Sequence, residues 1–239
     1  MKKSVFLFLA FATLQASAQQ TKVIQDANAK QRIISANFNE VRVSKGVELY
    51  LTQGTETFLA VSVSDEKYTD RFKTVVENGV LKIYMETKGL SWLRDKNRKL
   101  KAYLSIKSLE KLTASSGANV IAADPLNVNA FMMKFSSGSR FNGAIRATDL
   151  QVDQSSGSEI NISGSALNFT VDVSSGAHFK GYDLAVEKCI AKVSSGAHAN
   201  VTISNSLDAY ARSGGKIQYR GNASVKNLDV NSGGSVKKG

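Results

Sequence analysis

From residue 109 onward, apolar and polar positions fall into columns that return about every twenty residues. The register mark is Ser-Ser-Gly followed by a small residue, at Ser115-Ser116-Gly117-Ala118, Ser136-Ser137-Gly138-Ser139, Ser155-Ser156-Gly157-Ser158, Ser174-Ser175-Gly176-Ala177 and Ser194-Ser195-Gly196-Ala197. Two altered copies follow, Arg212-Ser213-Gly214-Gly215 and Asn231-Ser232-Gly233-Gly234. One residue before the mark stand Ala114, Phe135, Gln154, Val173, Val193, Ala211 and Val230, and three before it Leu112, Met133, Val152, Val171, Ala191, Ala209 and Leu228. The column between them is polar: Thr113, Lys134, Asp153, Asp172, Lys192, Tyr210 and Asp229. Such alternation predicts a strand with one buried face. Beyond the glycine an apolar column returns with Val120, Phe141, Ile160, Phe179, Ala199, Ile217 and Val236. Each copy therefore reads as strand, corner, strand.

A period of 18 to 21 residues between successive glycines (117, 138, 157, 176, 196, 214, 233) marks a solenoid. It is too short for strand-helix coils but long enough for three strands and three turns. The expected fold is all-β, a right-handed single-stranded parallel β-helix of roughly 19–20-residue coils. Seven coils at about 4.8 Å each predict a rod roughly 34 Å long. A glycine in every corner predicts a positive φ or a close backbone approach. The stacked hydroxyls predict a hydrogen-bonding ladder, since a nucleophile would be needed once and not seven times.

Upstream, residues 36–108 are also β-patterned but lack the Ser-Ser-Gly mark, and they predict a cap with early irregular coils. Val47–Thr52 alternates and stops at Gly54, Phe58–Val63 is a second strand, and a short helical turn follows up to Tyr68. Phe72–Glu77, Asn78-Gly79 and Val80–Met85 form a hairpin signal, and Leu100–Ile106 alternates again before the first coil, residues 109–239 forming the repeat.

The first residues change the compartment. Lys2-Lys3, an apolar run Val5–Leu14 and Ala16-Ser17-Ala18 read as a secretory signal cleaved after Ala18, with residues 19–35 a flexible leader. The run is too short for a permanent anchor, and no later stretch reads as a membrane helix. Loss of Lys2 and Lys3 takes the formal net charge from +11 to +9. The single cysteine, Cys189, shares an apolar column with Phe131, Leu150, Phe169 and Leu207, and is expected to be a buried hydrophobe.

Candidate chemistry lies on the exposed columns and in one loop. Stacking puts Asp153 beside Asp172, a spacing that suits a retaining glycosidase or a calcium site, but Lys134 and Lys192 bracket the pair and would neutralise it. A second column brings Glu159, His178 and His198 together; parallel side chains in register suit a ladder better than a tetrahedral metal. Trp92 beside Arg94, Lys96, Arg98 and Lys99 forms a basic aromatic loop able to meet a glycan or an anionic head group. No cofactor motif is present, and nucleic acid is an unsuitable partner for an exported chain.

With these residues in view, the chain resembles the auto-transporter adhesin family with the head GIN domain, exported proteins of Gram-negative bacteria. The stretches that carry the resemblance are Phe38-Asn39-Glu40-Val41-Arg42-Val43, Gly46 to Gly54, Val61 to Glu66, Asn78 to Ile83, Leu100 to Leu104 and the Ser-Ser-Gly coils. The resemblance implies a β-helix, an envelope or extracellular location and an adhesion role. Together with the charge it leads to a non-enzymatic rod that binds an anionic glycan, a lipid head group or an envelope protein. The competing readings are a polysaccharide lyase or glycosidase using Asp153, Asp172 or Glu159, and a purely structural periplasmic scaffold.

Overall fold

The structure, a computed structural model, describes residues 26–34, 36–87 and 98–239. Among these residues seventeen strands belong to one continuous sheet. They are β1 Lys30–Gln31, β2 Glu40–Ser44, β3 Glu48–Gln53, β4 Phe58–Val63, β5 Phe72–Glu77, β6 Val80–Met85, β7 Leu100–Ile106, β8 Lys111–Ser115 and β9 Asn119–Ala122. Then come the long bent strands β10 Leu126–Phe135, β11 Arg140–Gln154, β12 Glu159–Val173, β13 His178–Val193 and β14 His198–Ala211, followed by β15 Lys216–Arg220, β16 Ser224–Val230 and β17 Ser235–Lys238. A 3-10 turn, Glu66–Tyr68, is capped by the Asp65 side chain accepting from the Lys67 amide.

Each coil stacks in parallel on the next, and the register steps match the spacing of the glycines. Lys111 faces Met132, Arg140 faces Glu159, His178 faces His198 and Lys216 faces Ser235. The result is a parallel β-helix with two long sides and one short one. The leading side carries the strand before the corner, the trailing side the strand after it. On the trailing side nine layers run from β7 through β3 and β9 to β17, a rod roughly 38 Å long at about 4.8 Å per layer. Alternation sends Val152, Val171, Ile160 and Phe179 inward, where they are essentially fully buried. Phe135 meets Phe141 edge-on at 5.9 Å across the core, and Phe169 meets Phe179 at 5.3 Å. Cys189 lies in the Phe131–Leu150–Phe169–Leu207 column, and burial pushes its thiol up to about 12.

The corner is a two-residue reverse turn with both central φ angles positive, the pattern of a type I′ turn. Ser156 has φ +52° and Gly157 +65°, and the Ser158 amide donates to the Ser155 carbonyl at 3.2 Å. The Gly157 amide then donates to the Ser175 carbonyl in the next coil at 3.1 Å, so the backbone ladder continues through the bend. The positive φ expected at the glycine is present, and the serine before it is left-handed too, which the glycine column did not signal. The hydroxyl ladder departs from expectation. The second serine of each pair faces solvent and the first is half-buried; Ser156 reaches only the adjacent Ser155 hydroxyl (3.5 Å). The hydroxyls that bond between coils are those of the small column, which points inward: Ser139 to the Ala114 carbonyl (3.0 Å), and Ser158 to that of Phe135 (3.1 Å) as well as that of Ser155 (2.8 Å). That column is small because it is interior. Gln154, buried beside it, donates to the carbonyls of Ser158 and His178, each at 2.9 Å.

The N-terminal region joins the rod in a different order from its order in the chain. β2 lies between β6 and β8, and β3 lies between β7 and β9, so β7 does not stack directly on the first Ser-Ser-Gly coil. Lys45 (φ +60°) and Gly46 (φ +74°) make the corner between β2 and β3, and the Gly46 amide donates to the Ser116 carbonyl at 3.0 Å. Ser44-Lys45-Gly46 is thus an eighth corner without the serine pair. The hairpin β5–β6 turns at Asn78-Gly79 as expected, and β4 runs antiparallel to β7. Part of the expected leader is built in: β1 pairs antiparallel with β4, and Tyr103 donates to Asp26 at 2.8 Å. The signal segment, residues 1–18, and the first part of the leader, residues 19–25, lie outside the described residues.

Candidate binding surface

Two adjacent exposed columns run the length of the trailing side. The first passes Lys101, Glu48, Asn119, Arg140, Glu159, His178, His198, Lys216 and Ser235. The second passes Tyr103, Tyr50, Ile121, Asn142, Asn161, Lys180, Asn200, Gln218 and Lys237. Parallel register at strand spacing holds like beside like. Tyr50 and Tyr103 stack at 5.1 Å with their planes 14° apart, Asn161 donates to Asn142 at 3.1 Å, and His178 and His198 stack at 5.1 Å. Tyr50 donates to Glu48 at 2.6 Å, which raises its hydroxyl pKa to about 12.

The columns also answer the metal reading. The carboxylate of Glu159 is taken by Lys180, with Arg140 Nε at 3.9 Å, and the Lys180 hydrogen bond holds its pKa below the ordinary carboxylate value. His198 is held below the usual imidazole value, first by desolvation, then by His178 and Lys216. Among the described residues no three His, Cys, Asp or Glu side chains converge in a way that could hold a metal ion. What the face offers is amides, imidazoles and ammonium groups in rows, with Glu159 internally compensated and a tyrosine stack at one end.

On the leading side the polar column also stacks in the expected register, Thr113–Lys134–Asp153–Asp172–Lys192–Tyr210–Asp229. Lys134 binds Asp153 at 3.1 Å, and Arg212 binds Asp229. Desolvation, then the neighbouring Asp153 charge, raises the Asp172 pKa, against the pull of Lys192. The two carboxylates are neighbours, but one is engaged by lysine and both sit on an otherwise flat, self-compensated strip. This strip uses its charges on itself.

The sequence profile described as "Putative auto-transporter adhesin, head GIN domain" matches residues 37–223. The chain belongs to this family. A putative adhesin from Bacteroides fragilis has the same fold, with TM-score 0.78 at 15% identity, covering 89% of this chain and 98% of that one. A putative adhesin from Parabacteroides merdae (TM-score 0.66, 17% identity) covers 90% and 97%. A protein from Parabacteroides distasonis entitled a putative lipid binding protein (TM-score 0.61, 20% identity) covers 90% and 98%. No curated protein matches by sequence.

Two further features of this head GIN domain complete the surface. Of the basic aromatic loop, Trp92, Arg94 and Lys96 lie outside the described residues. Lys99 ties its end to the cap, its amide donating to the Ser64 hydroxyl at 3.0 Å, and Arg98 stands by the Gly46 corner. Along the short side an open trough of about 530 Å³ passes Ala166, Leu167, Val186, Ile203, Ser204 and Asn222. The chain turns beside it at Gly164, where φ is +110° and a Cβ would lie 2.1 Å from the Ile145 carbonyl oxygen. No aromatic ring lines the trough, and the hydroxyls of Thr202 and Ser204 are spent on the carbonyls of Tyr182 and Val186.

The tyrosine stack was not anticipated from sequence, although its signal was there. Glu48-Leu49-Tyr50-Leu51 and Lys101-Ala102-Tyr103-Leu104 share one phase, and that phase predicts two rings on one face once their strands are neighbours.

Proposed function

We propose that this protein is a non-enzymatic, exported, adhesin-like β-helix of the cell envelope that binds an anionic surface polymer along its trailing side. The observation that carries the reading is the paired columns there: Lys101, Arg140, Lys180, Lys216 and Lys237 against Glu48 and Glu159, interleaved with Asn119, Asn142, Asn161, Asn200, Gln218 and the two histidines. Cations distributed along this face can meet the charges of an extended polymer, while the side-chain amides between them bond its hydroxyls. The Tyr50–Tyr103 stack adds an aromatic platform for a sugar ring. Export is supported by Lys2-Lys3, the apolar run and Ala16-Ser17-Ala18, and no helix among the described residues is long and apolar enough to cross a membrane. The lipid-binding name of the Parabacteroides distasonis relative fits the same chemistry, since a lipid head group is also an anion.

The test is an array of acidic and neutral glycans and envelope polymers, with product release followed on the same polymers. Binding to acidic members that weakens with salt, and without cleavage, is the expected result. Cleavage would replace this reading with the carbohydrate-active one and make Asp153 and Asp172 the residues to change.

A further inference from the structure

Two imidazoles in the middle of the trailing side have no side-chain partner except each other. His178 and His198 stack at 5.1 Å with their planes 25° apart. His178 is exposed and His198 half-buried, and among the described residues neither ring takes part in a hydrogen bond or an ion pair. The backbone beneath them is pinned. The His178 amide donates to the Ser158 carbonyl and the His198 amide to the Ala177 carbonyl, each at 3.0 Å. The buried Gln154 side chain donates to the His178 carbonyl at 2.9 Å. Two rings held in register about one strand spacing apart can both donate to a single ligand group.

The charged groups facing the pair come from the strands on either side. β12 brings Glu159, whose carboxylate is already engaged by Lys180 of β13 and approached by Arg140 of β11. β15 brings Lys216, directly beside His198, and β14 adds only the neutral Asn200. No free carboxylate is left to hold a proton on either ring. Desolvation, then the charges of His178 and Lys216, keep His198 below the usual imidazole value, so in the free protein it is neutral at neutral pH. An anion laid across both rings reverses that balance. It offsets the repulsion between them and accepts their N–H groups, so binding draws protons onto the rings.

We propose that His178 and His198 form a proton-coupled oxyanion seat, which takes one carboxylate, phosphate or sulfate group of the polymer and holds it more tightly as the rings gain protons. The inference rests on the trailing-face reading and adds where on that face a ligand charge sits and how acidity controls it. Dextran sulfate is the probe, because its sulfates keep their charge across the imidazole range, with neutral dextran as the blank. Affinity is measured at fixed ionic strength between about pH 8 and about pH 5.5. Calorimetry in two buffers of different ionisation enthalpy counts the protons taken up. The expected result is net proton uptake and binding about tenfold tighter at the acid end, the equivalent of one pK unit. His178→Gln/His198→Gln flattens the pH dependence and removes the uptake, whereas Asp172→Asn on the leading side changes neither. His198→Arg, charged throughout, tightens binding at about pH 8. Affinity that is level across the range, or a pH dependence that survives in the double histidine variant, would overturn the seat and leave the trailing face standing. Absence of salt-sensitive binding at both ends of the range would overturn the face and the seat together.

Discussion

The two long sides of the rod are built from the same coils at the same spacing, yet their surfaces do opposite things. On the leading side Lys134 meets Asp153, and Arg212 meets Asp229, so charge is consumed within the column. On the trailing side the sole carboxylate in the central coils is compensated by two cations, and the remaining basic groups and amides face outward. Register alone does not create a binding face; it amplifies whatever residue occupies a column. Alternating signs produce a neutral strip, and like polar groups produce a repetitive one that can match a repetitive ligand.

The two sides share one interior, which sets the largest expected effect. Phe179→Ala on the trailing side removes a fully buried ring packed on Phe169 of the leading side and should cost about 3–5 kcal/mol. Denaturant unfolding should remain a single transition, because both sides lose their common core together. Two separated transitions would show that the sides are independent. Next in size, Gly157→Ala places a Cβ in open space at a positive φ and should cost about 1 kcal/mol, read from the shift in denaturation midpoint.

Smaller effects come from the titratable columns. The raised pKa of Asp172 means that its ionised form is disfavoured by folding: its contribution is fully present below the ordinary carboxylate pKa and is lost as pH rises through the folded value. Asp172→Asn should therefore be slightly more stable than the parent at pH 7 and indistinguishable at pH 3. Equal gains at both pH values would contradict that assignment. His198 has the opposite pH sense on the other side. Its lowered pKa gives stability that is present above the ordinary imidazole value and lost as pH falls through the folded one. In His198→Gln the decline in melting temperature between neutral and mildly acid pH should be shallower than in the parent.

Most of the rod was legible because the pattern has two independent periods. Alternation fixed which residues face inward, and the return of Ser-Ser-Gly fixed which residue stacks on which, so Asp153–Asp172 and His178–His198 could be paired without a structure. The strands Phe58–Val63, Phe72–Glu77, Val80–Met85 and Leu100–Ile106 carried their own boundaries in turn residues. What stayed hidden was spatial order in the cap. Nothing local in Glu40–Ser44 states that it lies between β6 and β8, since any alternating strand satisfies the same neighbours. The Lys45-Gly46 corner escaped for a related reason: the motif was read as a serine pair, whereas the backbone needs only two left-handed residues. Asn78-Gly79, with the same two positive φ angles, shows that serine is one solution among several.

The central claim is that the trailing face, and not overall positive charge, binds the polymer. Two double variants change net charge equally on opposite sides: Lys180→Glu/Lys216→Glu on the trailing side and Lys134→Glu/Lys192→Glu on the leading side. Their affinities for polygalacturonate are compared with the parent at fixed ionic strength. The account predicts a loss of about tenfold or more for the trailing pair and less than about threefold for the leading pair. Equal losses would assign the attraction to the net charge of the rod and contradict a binding face.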